Sequence, residues 1–459
     1  MNEKDNIIIV GAGILGLALA NVISSLCKSK ITILEQEAKP ALHTSSRNTG
    51  KVHAPFIYHP EKKRVWAKAA LYGYQFWKNY CEANKIPFEE DGVLEVATDA
   101  DSAKILSFHL DWGIKNGLNY DEIKLLDQNE VKMIEPHVKC HQAILCKKDA
   151  SVDYGQITRL LANHFLNNDR EVKIATLSKV INIKTDRNLD LPGIIEYQNM
   201  DGNAVRQMKF DFLINASGSN ALNVMNTTKI EHGYQDLFFL GEYWIAPSKY
   251  NNLTRRSIYS IPQFHQFPFL DPHWIIRTNG HREIGPNACP VFSPYGYDKL
   301  NNLKEFFPKL YKLTLGEHRI NKSILRKEMF NLVATEALSS VSKRYMIKRV
   351  KKFLPSIEAK DFTIRGTSGI RANIIDKNRD FISSPIFKLH NNVLHILNYN
   401  SPGATGVFPI AYALVFKLVD KGILRYNNNG IEQRKLTNLT PFDEKLIENC
   451  RKEIEVEFK

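Results

Sequence analysis

Ile7-Ile8-Ile9-Val10-Gly11-Ala12-Gly13-Ile14-Leu15-Gly16 is the stretch from which the rest of the chain can be read. Four apolar residues enter a G-x-G-x-x-G turn, and an apolar, Ala-rich segment follows to about Leu26. A second short run, Ile31-Thr32-Ile33-Leu34, ends at Glu35. Strand, tight turn, helix, strand and acid in that order describe a dinucleotide-binding unit. Gly11 allows the sharp turn, Gly13 lets backbone approach a pyrophosphate, and Gly16 lets the helix lie against the sheet. The helix N-terminus offers free amides and positive potential to phosphates. Glu35, 19 residues beyond Gly16, stands where a carboxylate accepts hydrogen bonds from a ribose. Residues 7–26 are also 20 uncharged residues, long enough to span a bilayer. The motif glycines, the polar Asn21, Ser24 and Ser25, and the lack of a basic lead-in argue against a span or a signal peptide.

At 459 residues the chain exceeds one ordinary hydrophobic core, so two domains are expected. Its apolar and charged fractions are those of a globular protein. The six cysteines include no C-x-x-C pair, which in so long a chain points to reduced thiols and a cytoplasmic setting. His137, Cys140, His141 and Cys146 invite a metal reading, but a turn entering a buried strand over 143–146 explains them better, and no metal is expected. A formal net charge of +13 suits acidic substrates, anionic membrane surfaces or nucleic acid, and does not choose among them.

Beyond Glu35 and Gln36 a long polar loop extends to residue 60, carrying His43, Arg47, Asn48, Thr49, Gly50, Lys51 and His53. A loop this long in a compact domain is expected to be functional. Helical spacing returns over 61–84, and its aromatic residues read as packing. Residues 92–97 read as a strand, 102–116 as a helix, and Asp127 as the cap of a short helix. A helix over 155–167 leads to a strand beginning at Val172, then to two alternating strands at 180–183 and 194–197. The apolar run 212–215 enters Ala216-Ser217-Gly218, a second place where backbone could approach a nucleotide. From 237 to 285 the chain is β-rich and aromatic, which predicts an antiparallel sheet. Helical patterns return between 297 and 354, and the segment 343–354 is amphipathic and basic. A solvated helix face explains that segment; peripheral contact with the inner face of a membrane is the competing use, and RNA a third. The run 393–397, a Gly/Pro/Ser turn and an apolar helix aim another helix N-terminus at an anion or a flavin edge.

Taken together, Gly11-Ala-Gly13-Ile-Leu-Gly16, Glu35, Asn48-Thr49-Gly50-x-x-His53-Ala54, Ala216-Ser-Gly218, Gly241-Glu242-Tyr243, Gly285-Pro286-Asn287-Ala288, Gly369-Ile370-Arg371-Ala372 and Ser401-Pro402-x-Ala404-Thr405 resemble the L-2-hydroxyglutarate oxidase/dehydrogenase family. That family belongs to the FAD-dependent oxidoreductases of the D-amino-acid-oxidase type. The resemblance runs from about residue 6 to 420. It implies an α/β fold with a discontinuous, Rossmann-like doubly wound FAD-binding domain (1–90, 150–225 and 362–428). An antiparallel-sheet-based α+β substrate domain (91–149 and 226–361) would lie over the flavin, followed by a polar tail (429–459) that is a surface helix or frayed. It also implies oxidation of L-2-hydroxyglutarate to 2-oxoglutarate, with electrons passed to a quinone or to oxygen. The FAD would lie along Gly11, Gly13, Ile14, Leu15, Gly16, Glu35, Gln36, Asn48, Thr49, Gly50, Val172, Ala216, Ser217, Gly218, Gly369, Ile370, Gly403, Ala404 and Thr405. The chain departs from the family's usual pattern at Arg47, Pro55 and Leu240, positions expected on or near the substrate face.

Oxidising a 2-hydroxy acid needs a base for the hydroxyl proton, a cation for the carboxylate, and a flavin at contact distance from the α-hydrogen. His53 is the first candidate for the base and His273 the second. Arg371 suits the carboxylate, since its planar fork can bind bidentately. Tyr243 and Tyr58 offer hydroxyls, and Arg47, Lys51 or Arg277 are candidates for a distal carboxylate. A related flavoenzyme acting on an amino acid, another 2-hydroxy acid or glycerol 3-phosphate is the nearest alternative. A nucleotide-binding module with a basic RNA- or membrane-binding helix is the more distant one, and no nucleic acid partner is expected.

Overall fold

The computed structural model describes residues 5–168, 171–186, 191–264, 271–297, 327–378, 380–427 and 443–459. Its centre is a six-stranded sheet in the order Ile386–His390, Val393–Leu397, Phe212–Asn215, Asp5–Val10, Ser29–Leu34, Val172–Ala175. All neighbours are parallel except the Ile386–His390 edge strand, which runs antiparallel. Because successive side chains of a strand point to opposite faces, Asp5–Val10 feeds two cores. Ile7 and Ile9 join the larger cluster, whereas Ile8 and Val10 join another.

Helices cover the first face. Ile14–Leu26 is apolar all round and buried at almost every position. It packs against Val407–Asp420 and Tyr154–Asn168 as well as its own strands, so no side of it is left for solvent. A helix of that composition is stable only when fully enclosed. No helix among the described residues is long and apolar enough to cross a membrane. On the second face the short helix Ala221–Asn226 packs through Val224. A three-stranded antiparallel sheet, Ser178–Lys184, Gly193–Asn199 and Val205–Phe210, lies there and contributes Ile183, Ile195 and Phe210 to the shared core.

The eight-stranded sheet takes strands from 93–146 and from 244–365, and its order begins at the Ile364–Arg365 edge and ends at Ile123–Asp127. It is antiparallel apart from the pair Ser257–Ser260 and Val93–Ala97. Ala100–Lys115 packs over Val93 and Ala97, while Lys343–Lys351 covers Leu94 and Val96 from the other face. Met346, Ile347, Val350, Phe353 and Leu354 are all buried there. The apolar face of the basic segment is therefore already used inside the protein. Asp127 caps Gln128–Ile134 through a reciprocal capping box with Glu130.

Cys140 and Cys146 are buried free thiols, and no group able to hold a metal ion occurs among the described residues. The helical pattern expected over 298–326 lies outside the described residues. The tail is not frayed over 443–459: Glu444–Glu453 buries Leu446, Ile447 and Cys450 against the main core, and Phe458 pairs with Phe387 at the sheet edge.

Candidate active site

The carboxyl ends of four parallel strands open into one elongated cavity, lined by Val10 and Gly11, Leu34 and Glu35, Ala216 to Gly218, and Tyr399 to Thr405. Ligands of open α/β sheets bind at such ends. Gly11 has φ +105°, a backbone state L side chains rarely adopt, and a Cβ there would stand 2.8 Å from the carbonyl oxygen of Ala216. Gly16 lies outside the lining; a Cβ on it would come within 2.0 Å of the Gly11 carbonyl oxygen. Its task is the close approach of helix and turn, which aims the helix N-terminus, with Gly13, Ile14 and Leu15, into the cavity.

Glu35 is buried at the end of its strand and accepts N–H bonds from Ala12 at 2.8 Å and Glu37 at 2.9 Å. Burial pushes its carboxyl above the usual value, and the two amides oppose the shift. Gln36, Asn48, Thr49, Ala216, Ser217, Gly218, Gly369, Ile370, Gly403, Ala404 and Thr405 line the same cavity. Besides Gly16, two further expected positions do not. Gly50, with φ +70°, shapes the loop beside Val152. Val172 is buried in the helix-side core, because it begins its strand, pairing with Ile31, whereas the cavity opens at the other, carboxyl end. Ser178, Lys179 and Val180 line the cavity instead, together with His43, Ser45, Tyr154 and Tyr295. His43 and Ser45 sit in the loop already singled out by composition. The segment 178–180 follows directly after a sheet strand, the one local signal that could have found it.

The same cavity is lined by His53, Tyr243 and Arg371. Arg371, on the strand Gly369–Ile375, is half-buried, and among the described residues its guanidinium has neither an ion pair nor a hydrogen-bond partner. Tyr243 is buried and its hydroxyl is pushed up by burial, an effect the nearby charges of Arg277 and Arg371 oppose. The backbone N–H of His53 donates to Thr405 Oγ1 at 3.0 Å, and His53 Nδ1 faces Asp149 Oδ2 at 3.8 Å.

His273 is not brought to the cavity. Its strand, His273–Ile276, is internal to the eight-stranded sheet and buried throughout. Its ring packs on Tyr259 with centroids 4.3 Å apart, and Tyr259 in turn lies 6.2 Å from His53. Burial, with the neighbouring cations, lowers His273 to about 3, so it stays neutral near pH 7.

The three cations considered for a distal carboxylate separate clearly. Lys51 turns its ammonium onto Asp91 at 2.9 Å, Ser151 at 2.8 Å and Asp149 at 3.3 Å. Arg277 is paired with Glu283 at 2.5 Å. Arg47 lines the cavity, bonded among the described residues only to the carbonyls of Leu42 and Ser368 and lying over the Tyr297 ring. Of the three departures from the family pattern, Arg47 alone reaches the cavity. Pro55 is buried outside the lining, and Leu240 packs beside the cluster of Phe238, Val291 and Ile370.

The fold and this cavity define a flavin-dependent oxidoreductase. A family model described as FAD dependent oxidoreductase (DAO) matches residues 6–416, and the chain belongs to that family. Its cofactor is FAD, and the residues fit it: a helix N-terminus, a buried acid one strand away, and one cavity lined by both and by His53.

The chain is 26% identical over 430 residues to the mitochondrial L-2-hydroxyglutarate dehydrogenase of Nematostella vectensis, covering 92% of this chain and 91% of that one. It is 28% identical over 407 residues to the L-2-hydroxyglutarate dehydrogenase of Indibacter alkaliphilus, covering 88% and 96%. Among solved structures it is similar to a dithionite-reduced L-α-glycerophosphate oxidase from Mycoplasma pneumoniae with FAD bound. There the TM-score is 0.69 at 22% identity, over 93% of this chain and 97% of that one. The glycine oxidase of Geobacillus kaustophilus gives a TM-score of 0.64 at 14% identity, over 91% and 95%. These two likenesses are of fold.

Proposed function

We propose that this enzyme oxidises a 2-hydroxy acid, L-2-hydroxyglutarate to 2-oxoglutarate, and that its electrons pass to a quinone or to oxygen. The observation that carries the reading is Arg371: a guanidinium unpaired among the described residues, in the same cavity as His53 and Tyr243. A cation left without a carboxylate in a partly buried site suits an anionic substrate, and its fork matches a carboxylate. The relatives named L-2-hydroxyglutarate dehydrogenase, which cover most of the chain, support the substrate.

FAD, when bound, supplies the hydride acceptor. The protein does the rest. Arg371 fixes the C1 carboxylate, and Arg47, the candidate with no carboxylate partner among the described residues, takes the distal one. His53 accepts the hydroxyl proton, and Tyr243 adds a neutral hydroxyl donor beside it. Thr405 and Trp77 hold the His53 loop and the 400–406 turn together: Trp77 Nε1 donates to the carbonyls of Ala404 at 3.0 Å and Thr405 at 2.9 Å. Positioning of this kind contributes much of the rate in two-group reactions.

The test is anaerobic reduction of the purified flavoprotein by L-2-hydroxyglutarate, compared with the D enantiomer, glycerol 3-phosphate and glycine. Bleaching of the flavin by the L enantiomer alone supports the reading. Bleaching only by one of the others overturns it.

A further inference from the structure

Beside His53 lies a buried group of charges that the proposed chemistry has not used. Asp149 is 1% exposed, and its Oδ2 faces His53 Nδ1 at 3.8 Å while accepting the Ala54 N–H at 3.3 Å. Its other oxygen lies 3.3 Å from Lys51 Nζ, whose side chain is fully buried. That ammonium also donates to both oxygens of Asp91, at 3.0 and 2.9 Å, and to Ser151 Oγ at 2.8 Å. Ser151 in turn donates to Asp91 at 3.0 Å or to the Ile276 carbonyl at 3.1 Å. Among the described residues, His53 Nδ1 has no hydrogen-bond partner and nothing else of opposite charge beside it.

Asp149, Asp91 and Lys51 by themselves sum to a formal charge of minus one, and the one further cation coupled to them among the described residues, Arg282, acts on Asp91 and not on Asp149. Isolated charge is costly in a protein interior, and it is offset by a paired counter-charge. The groups around His53 narrow what that counter-charge can be. Tyr58 and Tyr259 are phenols, and burial raises both of them. His273 stays neutral, and Arg371 lines the cavity that receives the substrate. The group left to take up a proton next to Asp149 is His53 itself.

We propose that Asp149 is the positioning residue of His53: its carboxylate holds the Nδ1–H tautomer, leaves Nε2 toward the cavity, and balances the imidazolium formed when the substrate hydroxyl proton arrives. Lys51 restrains Asp149 and, by neutralising Asp91, limits the negative charge beside His53 to one. The 3.8 Å separation closes to a hydrogen bond when the ring becomes charged, as catalytic contacts do in going from the free to the working enzyme. No further reactant is needed: the proton leaves the substrate oxygen, binds Nε2, and the positive charge is shared with the Asp149 carboxylate.

This inference rests on His53 as the base, so its first test needs no substrate. In the FAD-loaded protein labelled with ¹³C-histidine, the NMR titration of His53 is compared between wild type, D149N and K51M, with H53Q to assign the signal. D149N removes the negative charge, so the His53 midpoint falls by about one pH unit or more, a tenfold or greater loss of proton affinity. K51M removes the cation and shifts the midpoint in the opposite direction. Should K51M not retain flavin, the isosteric D91N takes its place and gives a smaller fall than D149N. General damage to the fold does not produce shifts ordered by charge in this way.

The second reading is the pH profile of flavin bleaching by hydroxy acid. In D149N the rising limb moves to lower pH with His53, and the plateau rate drops about 100-fold while KM changes little. An unchanged His53 midpoint in D149N overturns the proposal. A shifted midpoint in a protein that no hydroxy acid bleaches upholds the Asp149–His53 pairing and rejects the substrate.

Discussion

The hydroxyl of Thr405 accepts the backbone N–H of His53 at 3.0 Å, joining residues 352 positions apart. The same hydroxyl donates to the Lys51 carbonyl at 3.3 Å and meets Tyr154 OH at 3.4 Å. One side chain from the turn before the last sheet-covering helix thus sets the conformation of the loop that carries the base. The cavity is built by such long-range ties rather than by any single local motif.

Replacing Thr405 with Val keeps the shape and orphans the His53 amide. A buried N–H without a partner costs roughly 1–3 kcal/mol. T405V should therefore lower the urea midpoint and kcat together, and T405S, which keeps the acceptor, should restore both. Equal behaviour of the two variants would show that the bond does not hold the loop.

Arg371→Ala removes the unpaired guanidinium. Charge-assisted hydrogen bonds contribute roughly 1.5–3 kcal/mol, so kcat/KM for the hydroxy acid should fall roughly 10- to 100-fold. Arg371 has no partner to lose among the described residues, so the flavin content and melting temperature should stay close to wild type. A variant that loses its flavin instead would move Arg371 from substrate to cofactor.

His395 gives the stability a pH dependence. It is fully buried, Asn215 donates to its Nδ1 at 3.1 Å, and burial lowers it from 6.5 to about 3. The folded state therefore holds it neutral where the unfolded chain protonates it. Its contribution is complete above pH 6.5 and is lost as the pH falls toward 3, at up to about 1.4 kcal/mol per pH unit. Urea midpoints of wild type and H395L, measured across that window, should differ by this slope, with the variant flatter. Parallel curves would mean that the imidazole titrates freely in the fold.

The tail helix offers a mechanical test. Ile447 is 5% exposed within the main core, and truncating such a residue costs roughly 2–5 kcal/mol. I447A should lower the melting temperature by several degrees, whereas a tail lying loosely on the surface would leave it unchanged.

The parts of the fold that were legible in the sequence are those written in short-range spacing. The first βαβ unit could be read because its glycines, its acid and its two apolar runs fall within 30 residues, and each has a direct mechanical job. The strand Val205–Phe210 escaped notice because most of its side chains are exposed and polar, which removes the alternation that marks a half-buried strand. His273 looked like a site residue because its residue type suits proton transfer, yet its depth in the sheet depends on strand order, which no local pattern reveals. The amphipathic segment 343–354 displayed a real apolar face, but only the packed structure shows that the eight-stranded sheet occupies it. The Lys51, Asp91 and Asp149 group unites three separate segments, and nothing in any one of them announces the other two.

The most direct test of the account is the anaerobic visible spectrum of the purified yellow protein during addition of L-2-hydroxyglutarate. Stoichiometric bleaching of the flavin, absent with the D enantiomer and markedly slowed in H53Q and R371A, is the predicted result. A flavin-loaded protein that L-2-hydroxyglutarate leaves oxidised would contradict the proposed activity while leaving the FAD-dependent fold in place.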